Sequence, residues 1–235
     1  MDKKSRVHKI FNSVSKDYDK MNNLISLNQH TIWRKKTMSE IFIGDGDKIL
    51  DICCGTGDWT IQLAEENNNA EVTGLDFSEN MLAIAKEKTA GFKNIELLQG
   101  DATDLPFADH SFNLLTIGFG LRNLPDYASA IKEFYRVLAP GGQLVILETS
   151  IPDNKLISTG FNLYFGTIMP FMGGVIAHKK EEYKWLYEST SEFLTKDALL
   201  TILKSYDFTN LKVIPHTLGT AATHVAYKPL GDSQH

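Results

Sequence analysis

Three acidic residues stand at the ends of apolar runs, where they can meet a ligand rather than fill a core. Asp51 lies late in Ile49-Leu50-Asp51-Ile52, ahead of Cys53-Cys54-Gly55-Thr56-Gly57-Asp58; Asp76 ends Thr73-Gly74-Leu75-Asp76; Asp101 sits in Gln99-Gly100-Asp101-Ala102. Glycines 55 and 57 let a turn approach a ligand without a Cβ in the way. An ionised carboxylate carries two acceptor oxygens, so Asp76 can accept from both hydroxyls of a ribose. Asp101 can accept from an adenine amino group while the Ala102 amide donates to a ring nitrogen. A dinucleotide site wants a third glycine at the position held by Thr60, so the pattern points to a nucleoside but away from a pyrophosphate.

Such residues need strands that end together. Strand-like and helical patterns alternate through the middle of the chain. Lys48 to Cys53, Glu71 to Asp76 and Ile95 to Gln99 read as strands, with helices from Gly57 to Glu66 and Glu79 to Lys88 between them. Phe112 to Ile117 follows as a fourth strand, then a helix from Tyr127 to Leu138, a stop at Pro140-Gly141-Gly142, and a buried strand from Gln143 to Glu148. A helix capped near Thr195 precedes two late strands, Leu211 to Pro215 and Ala222 to Tyr227, which can form an antiparallel edge. The expected fold is a doubly wound, mostly parallel, seven-stranded α/β sheet, in which ligands bind at the strand carboxyl ends. Before residue 48 the chain reads as helical, through Phe11, Val14 and Tyr18 and again around Ile32 to Ile43.

Composition narrows the function. A chain of 235 residues, 43% hydrophobic and without a Pro, Gly or Ser-rich linker, makes one domain. Its segments are 1–47 as a helical cover, 48–150 as the core, 151–190 as an insertion, and 191–235 as a last helix with edge strands. A formal charge of −5 with scattered basic residues offers no track for nucleic acid. Cys53 and Cys54 are neighbours in an apolar run, which suits neither a disulfide nor a metal, and they read as small buried hydrophobes in a reducing cytosol. His178, His216 and His224 lack metal-ligand spacing and read as structural; no metal is expected. Met1 to Lys9 is charged and leads into no apolar secretory core, so a cytoplasmic protein is expected.

The ordered trio around Asp51, Asp76 and Asp101 resembles the motifs of class I methyltransferases. That resemblance implies S-adenosylmethionine, with Asp51, Gly55, Thr56 and Gly57 around its amino-acid part. Two longer stretches, Tyr18-Asp19-Lys20-Met21-Asn22-Asn23-Leu24-Ile25-Ser26-Leu27-Asn28-Gln29-His30-Thr31-Ile32-Trp33 and Arg136-Val137-Leu138-Ala139-Pro140-Gly141-Gly142 with Leu147-Glu148-Thr149-Ser150, resemble the menaquinone and ubiquinone C-methyltransferase family. Phe119-Gly120-Leu121-Arg122-Asn123 extends the likeness over nearly the whole chain, on the menaquinone side of the family. The resemblance implies methyl transfer to a ring carbon of demethylmenaquinol, a polyprenylated naphthoquinol, giving menaquinol in the last step of menaquinone biosynthesis. Asp101 stands where some relatives carry Asn, and Gly118 where some carry Ser, so no side chain at 118 reaches the cofactor.

A phenol-like hydroxyl ionises near pH 10, so the carbon nucleophile is scarce at neutral pH without help. A nearby cation favours the ionised form, which makes Arg122 the first candidate for stabilising a quinol oxyanion. Asn123 can hold the same oxygen, and Tyr18 or His30, from the covering helices, can relay a proton. The plainer readings are a surface ion pair for Arg122, structural hydrogen bonds for Tyr18 and His30, and turn or cap roles for Asp19 and Asn22.

Residues 156 to 177 carry no charge, yet Pro170 and glycines 160, 166, 173 and 174 interrupt them. That composition suits a broken helical lid better than a membrane span. An apolar lid and tail channel would bring transient contact with the inner face of the cell membrane. Two other readings keep the fold: a methyltransferase acting on another quinol, a lipid or a soluble acceptor, and a non-catalytic scaffold of a quinone pathway. The sequence leaves open the tail length, ubiquinone precursors as acceptors, the identity of the base, and a homodimer.

Overall fold

The computed structural model describes residues 2–168 and 180–231. Seven strands form one sheet: β1 (Lys48–Ile52), β2 (Glu71–Asp76), β3 (Ile95–Gln99), β4 (Phe112–Gly118), β5 (Leu138–Thr149), β6 (Thr209–His216) and β7 (Ala221–Tyr227). Their order is β3-β2-β1-β4-β5-β7-β6. The first five strands run parallel, and β7 lies antiparallel to both β5 and β6. The order reverses between β1 and β4, so the crevice outside their carboxyl ends is the switch point where such folds bind ligands.

Neighbouring residues on the central strands face opposite layers, as the period of two requires. Leu50, Leu115 and Ile146 pack on one face with Phe134 of α6 (Tyr127–Val137) and with Leu199 and Leu203 of the helix Lys196–Ser205. Ile49, Leu114 and Val145 pack on the other, with Leu63 of α4 (Asp58–Glu66) and Trp33 of α3 (Gln29–Met38). Both faces are covered, which is why these strands read as almost unbroken apolar runs. Each fully buried Leu or Ile contributes roughly 1.5–3 kcal/mol.

Caps fix the helix starts. Ser78 accepts from the Met81 amide ahead of α5 (Glu79–Thr89), Asp126 from Ala128 and Ser129 ahead of α6, and Thr195 from Ala198 at the cap expected there. The N-terminal cover is three helices: α1 (Lys3–Val14), α2 (Tyr18–Ile25) and α3, which ends at Met38 rather than near Ile43. Pro140-Gly141-Gly142 does not precede β5 but lies within it. Gly141, at φ +77°, and Gly142 pair with Lys228 just beyond β7, so the strand continues through the kink. The insertion begins with α7 (Lys155–Leu163), which passes into a π-helical turn at Tyr164–Ile168. The remainder of the charge-free stretch, with His178, lies outside the described residues. Among the described residues no helix is long and apolar enough to cross a membrane.

Candidate active site

The β1 to α4 turn forms the floor of the crevice. Gly55 and Gly57 sit at φ +57° and +84°, which only glycine adopts without strain. A Cβ at Gly57 would also crowd Ala85, at 3.3 Å. Cys53 and Phe119, at the ends of β1 and β4, hold positive φ without being glycine, so backbone strain is concentrated at the crevice. A Cβ at Gly120 would stand 2.6 Å from the Cys53 Cβ, which shows how closely the two strand ends approach.

The carboxylates are wired into this floor. Thr60 and Thr116 donate to Asp51 at 2.7 and 2.8 Å; the residue in place of a third glycine is therefore a buried hydroxyl that orients the acid. Asp76 accepts from the Gly55 amide at 2.9 Å and the Ser78 amide at 2.8 Å. Burial pushes both carboxyls up to about 6, against the hydrogen bonds that favour ionisation. Asp101 is more open. Thr103 occupies one oxygen and Lys4 the other at 2.6 Å, and although burial raises its pKa, these bonds hold it below the usual value. Ala102 is buried beside it, lining one small cleft with Leu75, Phe77 and Gly100. Burial pushes the Cys53 and Cys54 thiols well above their ordinary pKa, which fits inert hydrophobes rather than nucleophiles.

Three small clefts, of about 50, 40 and 40 Å³, follow the strand ends from Asp51 past Asp76 to Asp101. Helices α1 and α2 cover them. Asn12 accepts from Ser78 at 2.6 Å, and Thr56 donates to Asp19 at 2.7 Å while Lys88 donates to Asp19 at 2.8 Å. Asp19 is therefore no turn residue but the clamp between α2 and the glycine turn. Gly118 needs no side chain because Trp59 fills that space: a Cβ there would meet its ring at 2.8 Å.

A much larger cavity, about 460 Å³, opens on the other side of Tyr18, His30 and Phe119. Its wall is mostly apolar, from Ile25, Trp33, Ile157, Phe161 and Leu186, with Arg122 and Thr149 among its polar lining. Arg122 is not a surface ion pair. It is 6% exposed, its Nη1 donates to Glu148 and to the Phe119 carbonyl, and its Nε is buried without a partner among the described residues. Asn123 lines two of the small clefts at the strand ends: its amide donates to the Phe119 carbonyl at 3.1 Å and accepts from the Trp185 indole at 3.0 Å.

The buried His30 pairs through Nδ1 with the Ser26 hydroxyl at 2.7 Å, and that hydroxyl donates to the Asn22 carbonyl at 2.7 Å. Having given its only proton to Asn22, Ser26 must accept from Nδ1–H, which leaves Nε2 as the unprotonated nitrogen. Burial, and then Arg34, lower the His30 pKa, so the imidazole is neutral at pH 7. Burial raises the Tyr18 phenol, which therefore stays protonated. His216 and His224 are structural, bonded to Thr223 and to the Lys196 carbonyl.

Sequence reasoning missed Ser26, Glu148 and Arg34 as parts of the site. For Arg34 a signal existed, since it lies one helical turn beyond His30 on the same face of α3.

The sheet order, the glycine turn and the acids at three successive strand ends define an S-adenosylmethionine-dependent methyltransferase of class I. Solved structures agree at the level of fold. A SAM-dependent methyltransferase of Thermotoga maritima aligns over 94% of this chain and 99% of its own at TM-score 0.70 and 18% identity. Phosphoethanolamine N-methyltransferase 2 of Haemonchus contortus, solved with S-adenosyl-L-methionine, aligns over 86% of this chain and 52% of its own at TM-score 0.63 and 20% identity. The profile of the ubiE/COQ5 methyltransferase family matches residues 1–228. The demethylmenaquinone methyltransferase of Staphylococcus aureus (strain MRSA252) is 50% identical over 226 residues, 96% of this chain and 94% of that protein. The chain belongs to the ubiE/COQ5 methyltransferase family.

Proposed function

We propose that the enzyme transfers a methyl group from S-adenosylmethionine to a ring carbon of demethylmenaquinol, giving menaquinol. The observation that carries this reading is the adjacency of two unlike compartments: a polar crevice at the strand ends and an apolar cavity of about 460 Å³, meeting at Tyr18, His30 and Phe119. A flat, tailed naphthoquinol suits the second, and the name of the Staphylococcus aureus relative supports that acceptor.

The crevice suits the cofactor. Gly55 and Gly57 leave room for its amino-acid part beside Asp51 and Thr56, Asp76 keeps lone pairs free for ribose hydroxyls, and Asp101 with Ala102 borders the place for adenine. When bound, S-adenosylmethionine supplies a methyl group that is already electrophilic, so the protein's tasks are alignment and activation of the carbon. His30 Nε2 is the acceptor for a quinol hydroxyl proton, directly or through water. Loss of that proton sends electron density to the neighbouring ring carbon, which takes the methyl group as its bond to sulfur breaks and S-adenosylhomocysteine leaves; the proton that carbon carried is then lost to solvent and the aromatic quinol is restored. Arg122, held by Glu148, presents a fixed cation to the resulting oxygen, and Tyr18 contributes a hydroxyl proton rather than a base. Asn123 acts as a brace, fixing the Phe119 turn from the cofactor side.

The mouth of the cavity favours a bilayer-borne acceptor. Leu27 on its wall is 68% exposed, and Leu218, beside the lining Thr217, is 73% exposed. Both hold left-handed backbone, at φ 49° and 58°, a conformation costly for a branched apolar residue. Leu156, next to the lining Ile157, is 86% exposed. Peripheral contact with a membrane surface follows, with the prenyl tail leaving along α7. Incubation with methyl-labelled S-adenosylmethionine and chemically reduced demethylmenaquinone tests the proposal: label is expected in menaquinol. Label only in a benzoquinol offered in competition would move the acceptor to a ubiquinone precursor. Cofactor binding without transfer to any quinol would leave a scaffold.

A further inference from the structure

The cleft at the glycine turn is lined by four residues of formal charge, and three of them are acids. Asp19, Asp51 and Asp58 line it with Gly55 and Thr56, and Arg34 is the sole cation on its wall among the described residues. Two of the acids are already engaged, since Lys88 donates to Asp19 at 2.8 Å and to Asp58 at 2.5 Å. Arg34 is not comparably satisfied. Among the described residues it has one ion pair, to Asp58, long at 3.4 Å, and its Nε is buried with no hydrogen-bond partner; its side chain is only 12% exposed.

The amino-acid end of S-adenosylmethionine carries one ammonium and one carboxylate. The acids suit the ammonium and repel the carboxylate. We propose that Arg34 receives the cofactor's α-carboxylate through its guanidinium, the sole cationic group on the cleft wall among the described residues. Arg34 then reads the amino-acid part of the ligand, as Asp76 and Asp101 read the nucleoside. The assignment rests on the cofactor reading above. It also gives α3 a double task, because His30 on the acceptor side and Arg34 on the cofactor side share one helical face, so seating the carboxylate sets the register of the proton acceptor.

Calorimetric titration separates the possibilities with three ligands: S-adenosylhomocysteine, its decarboxylated analogue that keeps the amine, and 5′-methylthioadenosine, which lacks the amino acid. Arg34→Ala is expected to weaken S-adenosylhomocysteine about 10- to 100-fold, the worth of a charge-assisted hydrogen bond. The other two ligands should bind wild type and variant within about twofold, which also certifies that the variant is folded. Arg34→Lys should recover part of the loss, since it restores the charge without the fork. Equal S-adenosylhomocysteine affinity in wild type and Arg34→Ala overturns the proposal, and so does an equal loss for all three ligands, which would make Arg34 a structural brace. Wild type that binds none of the three overturns the cofactor reading itself.

Discussion

The two halves of the site are built in opposite ways. The cofactor half is made of strand ends and the turns directly after them: Asp51, Gly55 and Thr56 span six positions, and Asp101 and Ala102 are neighbours. Its shape is set by backbone, through positive φ at Gly55 and Gly57 and amide donors on Asp76. The acceptor half is assembled from α2, α3, the end of β4, α7 and the β6 to β7 connection, and its shape is set by side chains such as Trp33 and Phe161. A turn built from backbone at the strand ends fixes one shape. A wall of apolar side chains can be reshaped by substitution.

If that division holds, substitutions on the two sides must fail in different measurements. The largest effect belongs to the acceptor half. His30→Asn should lower kcat by about 10²- to 10⁴-fold, the usual worth of a general base, while S-adenosylhomocysteine affinity stays near wild type. The acid limb of the wild-type rate profile should fall below 6.5, because burial and Arg34 lower the imidazole pKa. A parallel loss of cofactor affinity would break the division at α3.

Next comes Arg122, which ties rate to stability. Removing one partner of a buried pair strands the other, so Arg122→Ala should cost about 3–5 kcal/mol in denaturant unfolding. The double variant Arg122→Ala with Glu148→Ala should regain much of that stability and none of the methyl transfer. Recovery of transfer as well would reduce Arg122 to a scaffold residue.

On the cofactor side, Asp76→Asn should weaken S-adenosylhomocysteine about 100-fold, from two charge-assisted hydrogen bonds. Acid should act in two directions. Asp51 and Asp76 titrate at about 6 in the folded chain against an ordinary 3.8. Their contribution to stability is full below about pH 4 and is lost as pH rises through about 6. Cofactor affinity should fall as pH drops through about 6, because the ribose then loses an ionised Asp76. Chemical melts and titrations at pH 5 and 7 check both slopes.

The smallest effect is at the rim. Leu27→Ser with Leu218→Ser should lower the rate on long-tailed substrate in vesicles by about 3- to 10-fold, as expected from lost apolar contact of two exposed leucines. The rate on a tail-less quinol in solution should not change, and an equal loss on both would remove the rim from tail binding.

The same division explains what was legible in the sequence. The strand-end acids and glycines could be read because each motif is local and each residue type answers a local need, a free lone pair or a positive φ. The seven strands were legible for the same reason, apart from the kink at Gly141, where pairing with Lys228 carries the strand through a Pro-Gly-Gly stop. The acceptor half was legible only as a group of candidates. Nothing near Arg122 announces Glu148, 26 positions away, and nothing near Asn123 announces Trp185, 62 positions away. Asp19 reads as a turn residue until Thr56 and Lys88 are brought against it. Such roles come from tertiary packing, which a pattern along one chain does not encode.

The most direct measurement is single-turnover methyl transfer from labelled S-adenosylmethionine, with the acceptor supplied as demethylmenaquinone in its reduced and its oxidised form. Labelled menaquinol is expected from the reduced form alone, because the quinone has no hydroxyl proton for His30 to take. Equal transfer to the oxidised form would contradict that expectation, since the carbon would then be methylated without the oxyanion proposed to form between His30 and Arg122.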